Sequence, residues 1–418
     1  MSSNFVVFIS SCSARFRARR SQPPAPPDAI AGSLVAVSLR VTACRDRDLW
    51  DCTVIATDGH PLQLWGWGEL KSCYAWTTDR LLVHDGAELV GYAQVLYRRL
   101  PSPFKSLAYV PRGPQAAERD RARVLTVLAD YVKDTHGSLA LSIEPDWPNP
   151  QSPFNKGVSD VDIAMIESQS PAGWLANIVA VGFTRGANIG LIPRTLIIDL
   201  TPSEEDLLKS FSSSTRQNVR KSFRIENVRV EEVTGETDLE QVLAINRETG
   251  RRAGFAVHDD AYHRRIRDLI GSRSQLLAIW EGDQVVAFVW LLISGTTAFE
   301  LYGGVSPRGM QLRLNYRLKF SALKHVKEQG VSRYDFNGLL NDGISDFKRQ
   351  FAKHENLLIG TWSKPLSPLY LVFATALPKV KCGLSVVKKI VSAARVAVRD
   401  SKGMLQHAKI RLSSKPKS

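Results

Sequence analysis

Leu81–Leu96 reads LLVHDGAELVGYAQVL, and Leu277–Leu292 reads LAIWEGDQVVAFVWLL. Registered on Gly86 and Gly282, the two stretches stand 196 residues apart. Asp85 then meets Glu281, Leu89 meets Val285, Val90 meets Val286 and Tyr92 meets Phe288. Each copy is a pair of apolar runs around an acidic residue and a glycine, the pattern of a β-hairpin. At the same shift Pro111-Arg112-Gly113 falls on Pro307-Arg308-Gly309. A helical stripe follows in each copy: Leu125, Leu128 and Val132, then Leu312, Tyr316, Phe320 and Leu323. Each helix is expected to stop before a glycine, Gly137 or Gly330. A strand closes each unit, Leu139–Pro145 and Arg333–Gly338. Hairpin, strand, helix, strand, written twice at a nearly constant shift, predicts a duplication. The expected fold class is α/β (α+β): two mixed-sheet lobes with a ligand-binding cleft between them.

The rest of the chain fits that frame. At 418 residues it is long enough for two domains. Charged residues at 23% and hydrophobic ones at 44% exclude a wholly disordered chain, a collagen and a polytopic membrane protein. The five cysteines, Cys12, Cys44, Cys52, Cys73 and Cys382, form no C-x-x-C pair, and the eight histidines show no ligand spacing. Neither a disulfide scaffold nor a metal site is expected.

The net charge of +14 is unevenly placed. Residues 379–418 carry eleven lysines and arginines against Asp400 alone. The boundaries read as a basic, proline-rich disordered extension (1–38), a first lobe (39–190) and a second lobe (191–364). An apolar segment (365–378) packing back on the first lobe and a basic tail (379–418) follow. One reading starts the natural chain nearer Val35–Val41. In the tail, Leu384, Val387, Ile390, Val391, Ala394 and Val398 fall at helical spacing among the cations. A basic amphipathic helix suits peripheral contact with an anionic membrane. The apolar run Leu366–Leu377 is too short to span one.

Taken in order, LQLWGWGELKSCYAW (Leu62–Trp76), LAYVPRGP (Leu107–Pro114), SSSTRQNVRKSFR (Ser212–Arg224), RYDFNG (Arg333–Gly338) and GISDFKRQFA (Gly343–Ala352) resemble the FemABX family. These are aminoacyl-tRNA-dependent transferases that build peptidoglycan interpeptide bridges. The resemblance implies tandem acetyltransferase-like (GNAT-type) domains, in agreement with the repeat. Some members carry a long coiled-coil arm, for which Arg216–Gly254 leaves no room. It also implies aminoacyl-tRNA as co-substrate with no cofactor, a lipid-linked or nucleotide-linked muropeptide as acceptor, and work on the cytoplasmic side of the plasma membrane.

Lys348 is the first candidate for the chemistry. Ile344, Phe347 and Phe351 form an apolar stripe, and Lys348 occupies a position where that face expects an apolar residue. A cation held in a water-poor wall would stabilise the oxyanion of ester aminolysis. The resemblance points to the same pair, Phe347 and Lys348. Glu144, at a strand end, is a candidate base for the attacking amine. Asp335 is the alternative base, and reads better as a structural hydrogen-bonding residue. The resemblance further implies that Lys71 contacts the diphosphate of the muropeptide and that Tyr262 and Tyr302 line its pocket. Family members commonly carry arginine four residues before the position of Tyr262; here it is His258. Arg216, Arg220 and Arg224, at i, i+4 and i+8 with Lys221 beside them, form a ridge suited to tRNA phosphates.

Two other readings compete. An acyl-CoA-dependent acyltransferase on this fold normally carries a glycine-rich pyrophosphate loop, and SPRGMQLR (Ser306–Arg313) holds Gly309 alone. A non-enzymatic binding protein associated with membrane or RNA is the other; His258 favours it and the Phe347-Lys348 pair opposes it.

Overall fold

The computed structural model describes residues 39–152, 170–340 and 342–374. The extension 1–38 and the basic tail 379–418 lie outside them, as do residues 375–378. The first lobe contains β1 (Arg40–Ala43), β2 (Trp76–Asp85), β3 (Glu88–Arg99), β4 (Ser106–Arg112), β5 (Gln115–Ala116), β6 (Ala140–Pro145) and β7 (Thr184–Arg185). After β8 (Arg194–Thr195), the second lobe contains β9 (Ile197–Asp199), β10 (Val228–Glu232), β11 (Ser274–Glu281), β12 (Gln284–Ser294), β13 (Thr297–Val305) and β14 (Arg333–Asp335). β15 (Asn356–Leu357) and β16 (Trp362–Pro365) follow. The first sheet runs β1-β2-β3-β4-β6-β16-β7 with β5 on β3; the second runs β10-β11-β12-β13-β14-β9; β15 pairs with β8. The chain therefore returns to the first sheet through β16, within the stretch drawn above as the end of the second lobe.

The repeat is visible in atomic detail. Both hairpins turn through two residues, with Asp85 opposite Glu88 and Glu281 opposite Gln284. Gly86 and Gly282 sit at φ 61° and 58°, a left-handed conformation that glycine adopts without strain. Each first strand carries a register shift at the same place, Val83/His84 and Ile279/Trp280. One expected correspondence fails. Leu96 pairs with Tyr109, and Leu292 pairs with Phe299, so the third strands are related by a shift of 190. Pro111-Arg112-Gly113 ends a strand, whereas Pro307 opens a helix capped by Ser306. The shared tripeptide is not structurally equivalent.

The helices, in chain order, are α1 (Arg47–Ala56), α2 (Trp65–Ser72), α3 (Arg121–His136), α4 (Trp174–Ala180), α5 (Glu204–Ser210), α6 (Ser213–Phe223), α7 (Glu236–Ala253), α8 (Asp260–Ile270), α9 (Pro307–Gln311), α10 (Leu314–Glu328) and α11 (Gly343–Arg349). α3 lays Val124, Leu125, Leu128 and Val132 on Val83, Val95, Val110 and Ile143 of the first sheet. It ends at Gly137, in the left-handed region, as read from the sequence. α10 lays Leu314, Leu318, Leu323 and Val326 on one face of the second sheet. α7 and α8 cover its other face, around Trp290, Phe288 and Leu276, together with Leu62, Trp67 and Leu70 of the first lobe. That shared core joins the lobes. α6 and α7 are separated by β10, with no coiled-coil arm.

The lobes differ at the parallel pair. β4 and β6 stay paired from Ala108–Leu141 to Arg112–Pro145. β13 and β14 pair only from Thr297–Arg333 to Phe299–Asp335, although β13 runs on to Val305. The cause is local. The Asp335 carboxylate accepts the Asn337 N–H at 2.8 Å, and Asn337 turns out at φ 59°. The strand expected to reach Gly338 thus stops at Asp335, and the sheet opens into a V.

Candidate active site

The first group of site residues forms where α2 meets α8. α2 can lie this close because Gly66 has no side chain: a Cβ there would stand 2.3 Å from the Leu269 carbonyl oxygen. Asp259 caps α8, its carboxylate accepting the Tyr262 N–H at 2.8 Å, which sets the first turn. Lys71 Nζ then donates to the Tyr262 hydroxyl at 2.8 Å across the lobe boundary. The ammonium also lies 4.4 Å from the Trp67 ring centre, a cation–π contact. Burial pulls its pKa down to about 8. Tyr262 is fully buried and hydrogen-bonded to Tyr302, and burial raises the pKa of both phenols, that of Tyr302 to about 12. His258 stacks on Tyr262 with ring centres 3.9 Å apart. Its pKa falls below the usual imidazole range through burial and the neighbouring Lys71 charge, so it adds no cation at neutral pH. Lys71, the His258–Tyr262 pair and Tyr302, from three separate parts of the sequence, thus stand together. The Trp67 indole N–H beside them is buried with no partner among the described residues.

Lys348 belongs to a second group, at the V. Asp342 caps α11 through the Ser345 N–H at 2.8 Å, and the helix carries Lys348 beneath the turn after β14. Its ammonium donates to the carbonyls of Asn337 and Gly338, each at 3.1 Å. The side chain is half-buried and tied to the fold; it does not extend into bulk water. Burial lowers its pKa, Glu300 and Asp335 draw it back up, and Lys319 opposes them. Phe347 packs on Tyr316 and Phe351, with ring centres at 5.1 and 5.2 Å. It holds the helix in the core and is placed to position Lys348, with no reactive group of its own. Ile344, expected on the same buried stripe, is exposed; Ser345 takes the buried position.

Glu144 does not suit the role of base. Its buried carboxylate accepts the N–H groups of Ile189, Gly190 and Leu191 at 2.8, 3.4 and 3.0 Å. It also accepts the hydroxyls of Tyr109 and Thr361 at 2.5 and 2.6 Å. A carboxylate has about four lone-pair sites, so this one has none to spare for a substrate proton. It anchors the segment joining the lobes. On α6, Arg216 donates to the carbonyls of Lys209 and Phe211 at 3.1 and 2.6 Å, holding the preceding turn. Arg220, Lys221 and Arg224 are exposed.

Two buried charges escaped the sequence reading. Lys319 pairs with Glu300, both about 7% exposed, and Tyr334 donates to the same carboxylate at 2.8 Å. Their signal was of the kind used for Lys348: Glu300 interrupts an apolar strand, and Lys319 sits within the stripe of Tyr316 and Leu323. Asp335 accepts Thr195 Oγ1 at 2.5 Å; its Oδ2 is buried with no hydrogen bond among the described residues, 4.0 Å from the Arg333 guanidinium. β13 carries Tyr302 of the first group and Glu300, whose charge acts on Lys348. The arrangement offers cationic and phenolic groups at the lobe boundary, and an immobilised ammonium at the open edge of the second sheet.

Comparison with known proteins gives consistent results. A model described as the FemAB family matches residues 55–281 and 279–379. The lipid II:glycine glycyltransferase of Staphylococcus haemolyticus (strain JCSC1435) is 23% identical, over 80% of this chain and 95% of its own. The protein of the same name from Staphylococcus aureus (strain MRSA252) is 22% identical, again over 80% and 95%. Among solved structures, the crystal structure of FemX superposes with a TM-score of 0.67 at 19% identity, covering 80% of this chain and 99% of that one, a likeness of fold.

Proposed function

The chain belongs to the FemAB family, and from that premise we propose that it moves an amino acid from aminoacyl-tRNA to an amine of a peptidoglycan-precursor stem peptide. That it is an aminoacyltransferase follows from the family and from relatives that are glycyltransferases. The observation that carries the finer reading is the convergence of Lys71, His258, Tyr262 and Tyr302 at the lobe boundary, together with a Lys348 pinned to the turn after β14. The first group suits an acceptor bearing a diphosphate. The second suits an ester whose carbonyl oxygen becomes anionic.

In the proposed reaction the stem-peptide amine attacks the ester carbonyl carbon, a C–N bond forms, and the carbonyl oxygen takes the negative charge. An ammonium has three donors. Two hold Lys348 to Asn337 and Gly338, and the third faces that oxyanion. The carbon–oxygen bond to the ribose then breaks. The proton lost by the amine balances the one gained by the ribose oxygen, so the stoichiometry needs no carboxylate base. The acceptor is lipid-linked or nucleotide-linked, the protein acts on the cytoplasmic side of the plasma membrane, and the exposed Arg220, Lys221 and Arg224 offer contacts to tRNA phosphates. Among the described residues no helix is long and apolar enough to cross a membrane.

Purified protein is expected to transfer labelled amino acid from charged tRNA to a muropeptide, and RNase is expected to abolish the transfer. RNase-insensitive transfer from an acyl-CoA would overturn the donor assignment; no transfer from either donor would leave a binding protein. A second expectation follows from Lys71. Its ammonium is present below its pKa of about 8 and is lost above it. The KM for a diphosphate-bearing acceptor is therefore expected to rise as pH passes from 7 to 9, by about 10-fold or less, the fall in the ammonium fraction over those two pH units. Lys71→Gln should have a high KM and lose this limb. A KM in the variant that still climbs as in the wild type would place the diphosphate elsewhere.

A further inference from the structure

We propose that the end of the first sheet bearing the β3–β4 loop is a docking face for an anionic phospholipid membrane, with a headgroup phosphate taken into a cavity there. The cavity encloses about 440 Å³ and is lined by Arg99, Lys105, Thr77, Ser102, Ser106 and His136, among others. Arg99 and Lys105 are exposed at its mouth, and among the described residues neither makes an ion pair. Asp79, which does not line the cavity, is held by His136 at 2.7 Å and Tyr97 at 3.2 Å. Two cations and the hydroxyls of Thr77 and Ser102 on one cavity lining offer donors to the oxygens of a phosphodiester.

The rim of this cavity is apolar and leads into the basic end of the chain. After β16 the Leu366 N–H donates to the Leu139 carbonyl at 2.8 Å, bringing the chain out at the cavity end of the sheet. Phe373 then packs on Phe104, a cavity-lining residue, with ring centres 5.5 Å apart. On the helical segment that begins at Leu369, Leu369, Leu371 and Val372 are 41%, 67% and 54% exposed, large apolar side chains close in sequence to the Phe373–Phe104 contact. The described chain ends on this face at residue 374, and the sequence continues with residues 379–418, eleven cations against one aspartate. Apolar side chains that enter the headgroup boundary, flanked by lysines and arginines, are the chemistry of peripheral membrane binding. A protein partner would need a matching acidic surface; an anionic bilayer supplies that charge over the whole face.

The same sheet end adjoins the candidate active site on its other side. Arg98, next to Arg99, donates to the Tyr74 carbonyl at 2.9 Å, and the Tyr74 ring packs on Tyr262 at 5.1 Å. Docking here would bring a lipid-carried acceptor to Lys71. The inference deepens the reading of a lipid-linked acceptor and rests on it for its purpose. Its readout is vesicle binding, so the two fail separately.

The test is sedimentation of the full chain with phosphatidylcholine vesicles, with and without about 30 mol% phosphatidylglycerol as the source of negative surface charge. Wild-type protein is expected to partition onto anionic vesicles and not onto neutral ones, with release as salt rises. Arg99→Glu with Lys105→Glu, and separately Leu371→Asp with Val372→Asp, are each expected to weaken partitioning by at least about 10-fold. All four positions are exposed, and melting temperature together with transfer to a nucleotide-linked acceptor would confirm an intact fold. Wild-type partitioning by either double variant would overturn the proposal, as would equal binding of wild-type protein to neutral and anionic vesicles.

Discussion

Replacing Lys348 with methionine is expected to lower kcat by about 10²–10³-fold, roughly 2.7–4 kcal/mol of barrier, while KM for both substrates changes little. The size follows from the chemistry. An oxyanion donor acts on charge that exists only after attack, so its loss is felt in the transition state and not in binding. The methionine keeps the unbranched stem against α11, which limits repacking. Two carbonyls, those of Asn337 and Gly338, lose their donor, and some stability falls with them. The split between kcat and stability is the informative measurement. A variant that melts lower but turns over normally would mean that Lys348 only caps the turn after β14. Lys348→Arg separates the cases further, because it keeps the charge but broadens it over a planar fork that does not match the site of a compact ammonium.

Glu144→Ala is expected to lower stability by about 3–5 kcal/mol, the scale of breaking a buried charged network. For a lobe of this size that corresponds to a melting-temperature loss on the order of 6–20 °C. Three main-chain N–H groups and two hydroxyls are left without their acceptor when the carboxylate goes. Glu144→Gln decides between anchor and base. A base would show a kcat loss of about 10²–10⁴-fold with little change in melting temperature. The geometry predicts the reverse: a lower melting temperature, because an amide turns donors toward donors, with kcat of the folded fraction within a few-fold of wild type. Thermal denaturation and steady-state kinetics on the same preparation measure both.

The fold was legible because hairpins announce themselves locally. An acidic residue and a glycine between apolar runs dictate a two-residue turn wherever they occur, and both copies obeyed. The Pro-Arg-Gly match misled because a tripeptide does not specify its conformation: in one lobe it ends a strand paired with β6, in the other Ser306 caps it into a helix. For the site, a charge on an apolar face was the usable signal, and it singled out Lys348, which the fold pins to the carbonyls of the turn after β14. The same signal at Lys319 and Glu300 passed unread, since a charge inside a strand becomes meaningful only when its partner, on α10, is brought beside it by the fold. Glu144 was misjudged for a related reason. Sequence shows that a carboxylate ends a strand; only the fold shows that the segment 189–191 delivers its N–H groups to that carboxylate. Lys71 and Tyr262 were paired through family resemblance; what holds them together is the contact of Gly66 with α8.

The most direct measurement compares two inert ligands on wild-type protein and on Lys348→Met: a non-hydrolysable planar mimic of the aminoacyl ester, and a tetrahedral phosphonate bearing the negative charge of the adduct. Wild-type protein is predicted to prefer the phosphonate by at least about 10²-fold, and the variant to lose most of that preference while binding the planar mimic as before. Equal preference in the two proteins would contradict the assignment of Lys348 to the oxyanion.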